Sequence, residues 1–420
     1  VIAIDAASGE ELWRTNSIDY KDGYSFTLTP LIADGVVIVG ISGGEYGIRG
    51  YIEGYDPETG ERLWRTYTVP EPGEPGSETW PEGDAWKRGG GPGWLTGTYD
   101  PDLNLVYWGV GNAASWNAGK RKGDNLYTSS ALALNPKTGE IQWHYQFSPN
   151  DPFDYDGTNE LVLAEIDGRK VMMQANRNGF FYVIDRTNGE LIAANKFVDD
   201  LTWADGVDLS TGRPIPTDVY TNAVAGEQVT YWPSAFGGKN WSPMSYNPDS
   251  GTIFVNTLRV GMNYKAVEPK YRAGVFYFGA EFSFVWPDGH RGELRALDPM
   301  TGSVKWSQPS DIPRLGGVLS TGGGAFLAER NRRVMSESGV SICLQADLDV
   351  LWKRVKGRDT RPLLRSADPY QTLSDLYHAR VPVYAQADLT VSSDGQVSID
   401  NMVSRVLEAL KARPDVLEFD

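Results

Sequence analysis

Residues 150–160 read NDPFDYDGTNE, which places Asp151, Asp154, Asp156 and Glu160 in one short stretch. In an extended segment Asp154 and Asp156 project from the same face, where their charges repel. A solvated turn relieves that repulsion most simply; a bound cation relieves it and brings chemistry. The D-Y-D-G string does not match the carboxylate spacing of an EF-hand loop. Two other segments offer oxygen donors beside small residues. VGISGGEYGIRGY (39–51) presents Glu45, and YWGVGNAASWN (107–117) presents Asn112. Glycine at such places lets the backbone approach a flat or charged ligand closely. One Glu, one Asn carbonyl and two Asp form an oxygen-rich set suited to a hard, high-coordination cation.

Something must hold these segments together, and the surrounding sequence repeats. An apolar run, an Asp or Asn, a Gly and then a Trp recur as VIAIDAASGEELW (Asp5, Trp13), EGYDPETGERLW (Asp56, Trp64), LALNPKTGEIQW (Asn135, Trp143) and LRALDPMTGSVKW (Asp298, Trp306). YVIDRTNGELIAA is a fifth copy, from Asp185, without the Trp. Asp/Asn-x-x-x-Gly between apolar runs makes a tight turn, so each copy predicts a β-hairpin. Repeats of this kind at about 40–50 residues point to β-propeller blades. Irregular spacing between copies predicts long insertions with functional roles. The repeated tryptophans report architecture and not chemistry.

Composition divides the chain. Residues 1–324 hold 13 of the 14 tryptophans and 44 of the 47 glycines, with 26 basic and 41 acidic residues. The last 96 residues carry 13 basic and 14 acidic residues, which predicts a second fold with different needs. A net charge of −16 argues against nucleic acid as a partner. No run approaches the length of a transmembrane helix. No signal peptide is read at the N-terminus. The single cysteine, Cys343, leaves no internal disulfide or thiolate metal cluster.

In order and spacing, SGGEYGIRGY, GGGPGWLTGTYDP, YWGVGNAASWN, FDYDGTNE, NRNGFFYVIDRTNGELIAANKF and GGKNWSPMSYNP resemble the pyrroloquinoline quinone (PQQ)-dependent alcohol and methanol dehydrogenases, from residue 1 to about 322. The resemblance implies a mainly β fold, a partial eight-bladed propeller with tryptophan-docking motifs. It implies oxidation of a small primary alcohol, in the periplasm, with electrons passed to a cytochrome c; a homodimer is compatible with it. Glu45, Asn112, Asp154 and Asp156 would ligate the metal, and Asp154 would also be the catalytic base. Trp94 would stack beneath the planar cofactor, and Arg177 would hydrogen-bond the quinone oxygens. Thr27, Ser42, Gly43, Gly44, Asn240 and Trp241 fall at the cofactor's edge. Taken alone, Trp94 and Trp241 read as core packing and Arg177 as a surface ion pair. Calcium-type members of the family have a small residue at the position of Asp156. D-Y-D therefore resembles the lanthanide-dependent type, and a lanthanide ion is expected in preference to Ca²⁺. The family pattern also includes an earlier blade, another Glu and Arg at the cofactor, an adjacent-cysteine disulfide and blades beyond Gly324, none of which is read in this sequence.

From Val318 a second resemblance takes over. VLSTGGGAFLAERNRR, SICLQADLDVLWKRVKGRDTRPLL and HARVPVYAQADLTV are similar to the C-terminal half of shikimate kinase, an α/β fragment of a P-loop kinase fold with a cytoplasmic setting. It implies shikimate contacts at Gly322, Gly323 and Gly324, a lid arginine at Arg361 and a carboxylate grip at Arg380. IDNMVSRVLEALKA predicts a closing amphipathic helix. Nothing in the chain matches the phosphate-cradling G-x-x-x-x-G-K-[ST], so phosphoryl transfer is the disfavoured activity. GGVLSTGG fits both families, and the chain reads as a chimera of 1–322 and 323–420 joined inside that string. A propeller that binds without catalysing is the third expectation.

Overall fold

The computed structural model describes residues 1–318, 326–338, 340–356, 368–393 and 399–411. The chain divides into two compact units, Val1–Leu319 and Ser320–Asp420.

The first unit opens with a hairpin, Ile2–Ile4 against Glu11–Arg14, and continues into antiparallel sheets of four strands. The first is Leu31–Ala33, Val36–Gly40, Tyr51–Tyr55 and Arg62–Tyr67; the second is Thr98–Asp100, Leu105–Val110, Ser130–Leu134 and Ile141–Gln146. The third is Val162–Ile166, Arg169–Ala175, Phe180–Asp185 and Leu191–Lys196. In these three the spatial order follows the sequence, as in propeller blades. The fourth, Ser245–Asn247, Thr252–Leu258, Gly292–Leu297 and Val304–Ser310, is interrupted by an insertion. There Gly261–Ala266 and Ala280–Val285 leave the blade and form a three-stranded sheet with Val229–Tyr231.

The predicted turns are present, and they explain the spacing of the tryptophans. Asp56 Oδ1 accepts hydrogen bonds from the N–H groups of Glu58 (2.9 Å) and Thr59 (2.8 Å), which closes the turn. Gly60 then sits at φ +71°, in the left-handed region that favours glycine. A Cβ there would lie 2.4 Å from the ring of Trp13, so the absent side chain is also the seat of the previous repeat's indole. Trp13 Nε1 donates to the Pro57 carbonyl at 2.8 Å, and Trp64 Nε1 to that of Pro136 at 3.0 Å. Trp64 and Trp143 cover Gly139 and Gly189 in the same way. Sequence repeat thus becomes blade-to-blade adhesion.

The largest core cluster is aromatic, with Tyr107, Phe147, Phe153, Tyr155, Tyr182 and Tyr231 fully buried. Phe153 stacks on Tyr231 with ring centroids 4.1 Å apart. Burying each such ring is worth about 1.5–3 kcal/mol. Two of these anchors, Phe153 and Tyr155, alternate with Asp154 and Asp156.

The second unit holds helices Glu329–Ser338, Leu348–Val355, Pro369–Tyr384 and Ile399–Leu410. Strands Ile342–Gln345 and Leu389–Ser392 pair in parallel, with Ile342 opposite Leu389. Asp368 caps the helix from Pro369 by accepting from Gln371 N at 3.0 Å. The expected amphipathic helix corresponds to Ile399–Leu410.

Candidate functional site

Three blades contribute to the site from corresponding places. Glu45 follows strand Val36–Gly40, Asn112 follows Leu105–Val110, and Arg177 follows Arg169–Ala175, in each case just past the end of the blade's second strand. Glu45 stands in the short 3₁₀ turn Gly44–Tyr46, between Gly43 and Gly47 in left-handed conformations. At Gly111 an added Cβ would come within 2.7 Å of Asp156 Oδ1, so only glycine admits that carboxylate.

The acidic stretch itself is an irregular loop, neither an extended segment nor a solvated turn, since Asp151 and Asp156 are buried. Asp154 has φ +66°, which breaks any strand at that residue. The reason lies in the anchors: Asp151 accepts from the N–H groups of Phe153 (3.0 Å) and Tyr155 (2.7 Å), folding the backbone over its carboxylate. Both aspartates nevertheless reach one cation. Arg177 Nη1 lies 2.9 Å from Asp154 Oδ2, and Nη2 lies 2.9 Å from Asp156 Oδ2. Both pairs are buried, unlike the surface ion pair that Arg177 would suggest taken alone. Asp156 also accepts from the backbone N–H of Asn112 at 2.7 Å and from the Trp94 indole at 3.1 Å.

These groups surround a cavity of about 510 Å³. Thr27, Ser42, Gly43, Gly44, Glu45, Trp94, Asp154, Asp156, Arg177 and Trp241 line it, together with Pro92 and Leu95. Asn112 is buried and does not line the cavity; its side-chain amide donates to the Ala113 carbonyl at 3.4 Å. Asn240 does not face the cavity; its side chain donates to the Phe236 carbonyl and accepts from Trp241 N–H, each at 2.9 Å. Glu160 leaves the acidic group as well. It pairs with Lys239 at 2.6 Å and accepts from Met244 N–H at 2.6 Å. Gly322, Gly323, Gly324 and Arg361 lie outside the described residues, and Arg380 lies on helix Pro369–Tyr384.

Charge in the cavity is unbalanced. Three carboxylates, Glu45, Asp154 and Asp156, face one guanidinium. Burial raises the pKa of Glu45, and the charge of Asp156 adds to the effect. Burial also holds Asp154 well above the usual carboxylate range, against the pull of Arg177 and with the push of Asp156. For Arg177 burial opposes the charge, but Asp156 and Asp154 outweigh it and raise its pKa. Among the described residues no three His, Cys, Asp or Glu side chains are grouped tightly enough to stand as a finished coordination sphere. The donor set still fits a cation on two grounds. The buried Oδ1 of Asp154 has no hydrogen-bond partner, and the excess negative charge is of the kind a di- or trivalent ion neutralises. A flat ligand is accommodated by the glycine-lined wall and the half-buried Trp94 ring.

Sequence reasoning passed over Pro92, Leu95 and Lys239. The first two carry no chemical signal of their own. Lys239 is recognisable only through its pairing with Glu160, 79 residues away in sequence.

A carboxylate-lined cavity at the strand ends of propeller blades defines the class of the first unit. Residues 16–223 match the β-propeller domain of the PQQ glucose/ethanol/alcohol dehydrogenases, and residues 310–411 match the shikimate kinase model. Quinoprotein alcohol dehydrogenase PedH of Pseudomonas putida is 42% identical over 350 residues, covering 77% of this chain and 58% of that protein. The lanthanide-dependent methanol dehydrogenase of Methylorubrum extorquens is 37% identical over 356 residues, covering 77% and 59%. The structure of a europium-containing methanol dehydrogenase superposes with a TM-score of 0.69 at 34% identity, covering 74% of this chain and 58% of that one. The propeller unit is therefore homologous to the PQQ-dependent alcohol dehydrogenases, and its sheets are blades of their propeller. The chain spans under three-fifths of the length of these relatives.

Proposed function

We propose that the propeller unit oxidises a small primary alcohol with PQQ and a bound lanthanide ion, Ca²⁺ being the alternative. One observation carries this reading: Trp94, Glu45, Asp154, Asp156 and Arg177 share a single cavity in which Asp154 Oδ1 has no partner. Glu45, Asn112, Asp154 and Asp156 would hold the ion, and Trp94 would support the cofactor ring. When bound, PQQ supplies the quinone that is reduced as the alcohol is oxidised, and the ion acts as a Lewis acid on its carbonyl. Asp154 takes up the hydroxyl proton of the alcohol, a task suited to a carboxylate whose affinity for a proton is raised by burial. Arg177 orients that carboxylate through Oδ2 and leaves Oδ1 free to accept. Trp241 and Leu95 add apolar wall, which favours a substrate with a hydrocarbon tail and limits water. Asp156 provides the extra carboxylate that a trivalent ion needs, and the similarity to lanthanide- and europium-named relatives supports that choice. By the same reading the unit works in the periplasm and passes electrons to a cytochrome c.

Reconstituting the full chain with PQQ and either La³⁺ or Ca²⁺ tests the proposal. Ethanol-dependent reduction of a dye that requires both PQQ and the ion is expected, faster with La³⁺. If PQQ absorbance is unchanged by the protein in the presence of either ion, the proposal fails.

A further inference from the structure

The turn that carries Glu45 has little to hold it from within. Gly44–Tyr46 is a single 3₁₀ turn, and among the described residues no side chain caps it. It lies between Gly43 at φ +119° and Gly47 at φ +68°. Glycine in the left-handed region leaves the backbone free to swing on both sides. Yet the turn lies against Asn112: a Cβ on Gly44 would be 3.4 Å from Asn112 Oδ1. Glu45 and Asn112 come from different blades, so a shift of this turn changes the spacing of two of the oxygen donors proposed for the ion.

The contacts that fix the turn come from the insertion in the fourth blade. Its strands Gly261–Ala266 and Ala280–Val285 are joined by residues 267–279, a longer connection than a hairpin needs. Val267 N–H donates to the Gly279 carbonyl at 2.9 Å and closes the base of this connection. Further along, Tyr277 N–H donates to the Glu45 carbonyl at 2.6 Å. Phe276 stacks on Tyr46 with ring centroids 4.8 Å apart and planes 24° from parallel. A Cβ on Gly47 would lie 3.0 Å from the Tyr277 ring, so that ring covers one of the hinges as well. The same connection reaches the loop that follows Asn112. Trp116 N–H donates to the Phe278 carbonyl at 2.7 Å, and the two rings lie 4.8 Å apart. Asn117 Nδ2 donates to the Val267 carbonyl at 2.9 Å. Phe276 remains 56% exposed, so its stack adds little burial; what it supplies is orientation.

We propose that residues 267–279 form a strap that sets the distance between Glu45 and Asn112, and with it the size of ion the site prefers. Phe276 and Tyr277 are its positioning residues. The inference rests on the reading that Glu45 and Asn112 hold a cation. Neither Phe276 nor Tyr277 lines the cavity, so both act through the Glu45 turn. Selection between hard cations depends on cavity size, donor number and the rigidity of the donors. Donors on a supported turn select by size, whereas donors on a loose one close on any ion. Loosening the strap therefore weakens binding and flattens the preference, although every donor is kept.

Tryptophan-sensitised Tb³⁺ emission from the full 420-residue chain tests this, with La³⁺ and Lu³⁺ as a larger and a smaller competitor. Phe276→Ala should weaken Tb³⁺ binding about tenfold, the lower end of the range for losing a group that supports a ligand. It should also bring the La³⁺ and Lu³⁺ affinities closer together. Phe276→Tyr keeps the stack and should behave as the parent. The emission lifetime of the Ala variant should shorten in H₂O but not in D₂O, because water replaces an oxygen that the turn no longer holds in place. A fold that is merely destabilised would lower the number of sites and leave the affinity ratio and the lifetime unchanged; that result overturns the proposal. So does an equal loss in Phe276→Tyr. Glu45→Gln separates the strap from the site beneath it. If it weakens Tb³⁺ while Phe276→Ala matches the parent in affinity, ratio and lifetime, the ion site stands and the strap is refuted. If Glu45→Gln has no effect, or the parent chain binds no Tb³⁺, the cation reading falls and the strap with it.

Discussion

The indole N–H of Trp94 donates to Oδ2 of Asp156 at 3.1 Å. The residue expected beneath the cofactor and the residue expected to set metal preference are thus in direct contact. A Tb³⁺ ion held by Asp156 would sit near an indole that can sensitise its emission. Asp156→Ala should lower La³⁺ affinity about tenfold or more, roughly 1.4 kcal/mol or above, and Ca²⁺ affinity far less. Displacement of tryptophan-sensitised Tb³⁺ emission by each ion gives both values. Equal losses would remove Asp156 as the source of preference.

Asp154→Asn keeps the shape of the side chain and removes its basicity. Dye-coupled turnover of the reconstituted chain should fall by about 10²–10⁴-fold, the usual range for a lost general base. PQQ absorbance should still report binding. Turnover near that of the parent protein would show that the proton goes elsewhere.

Lys239 is almost fully buried against Glu160, and its ordinary pKa is lowered by that burial. Glu160 in turn holds the backbone at Met244, so the pair ties the Trp241 segment to the acidic loop. Lys239→Met leaves a carboxylate without its counter-charge and should cost about 3–5 kcal/mol of stability. Denaturant unfolding followed by tryptophan fluorescence reads the change. A loss below about 1 kcal/mol, the range of an exposed pair, would mean that water reaches Glu160.

In the second unit, Arg380 on helix Pro369–Tyr384 can attract an anion. Phosphoryl transfer needs more, since the β- and γ-phosphates must be held by backbone N–H groups and a lysine. No such sequence occurs in the 420 residues. Incubation with Mg-ATP and shikimate should release no ADP above the enzyme-free rate; shikimate-dependent release would contradict this.

The blades were legible because their signal is local: an Asp, a turn and a Trp fix one hairpin and its neighbour's contact. Glu45, Asn112 and Arg177 were legible through glycines and family motifs, although their common place past the second strand of three blades was not. That relation depends on how strands stack, which no single segment encodes. The aspartates show the limit most clearly. Alternation suggested an extended strand, but Asp151 folds the loop by accepting two backbone N–H groups, and Asp154 turns left-handed. Their convergence on Arg177 survives because Phe153 and Tyr155 anchor the other side. Likewise Glu160 read as part of the cluster until Lys239, distant in sequence, claimed it.

Asp151 gives the loop a pH response of its own. Burial pushes its pKa up to about 6, despite the two N–H groups that favour the charged form. In the unfolded chain the same carboxyl titrates near its ordinary value of about 3.9. Between those values the folded state keeps a proton that the unfolded state has released, so this group's contribution to stability falls as pH rises from about 4 to 6. For a difference of about 2 units the loss amounts to at most ~3 kcal/mol. Asp151→Asn cannot titrate, and the mismatch of its amide with the two N–H donors is a cost that does not vary with pH. The stability of the variant relative to the parent should therefore improve steadily from pH 4 to 6 and level off above. Denaturant unfolding of both proteins at a series of pH values, read by tryptophan fluorescence, measures that difference directly. A difference that stays flat over this window would mean that Asp151 is ionised in the folded loop at pH 4.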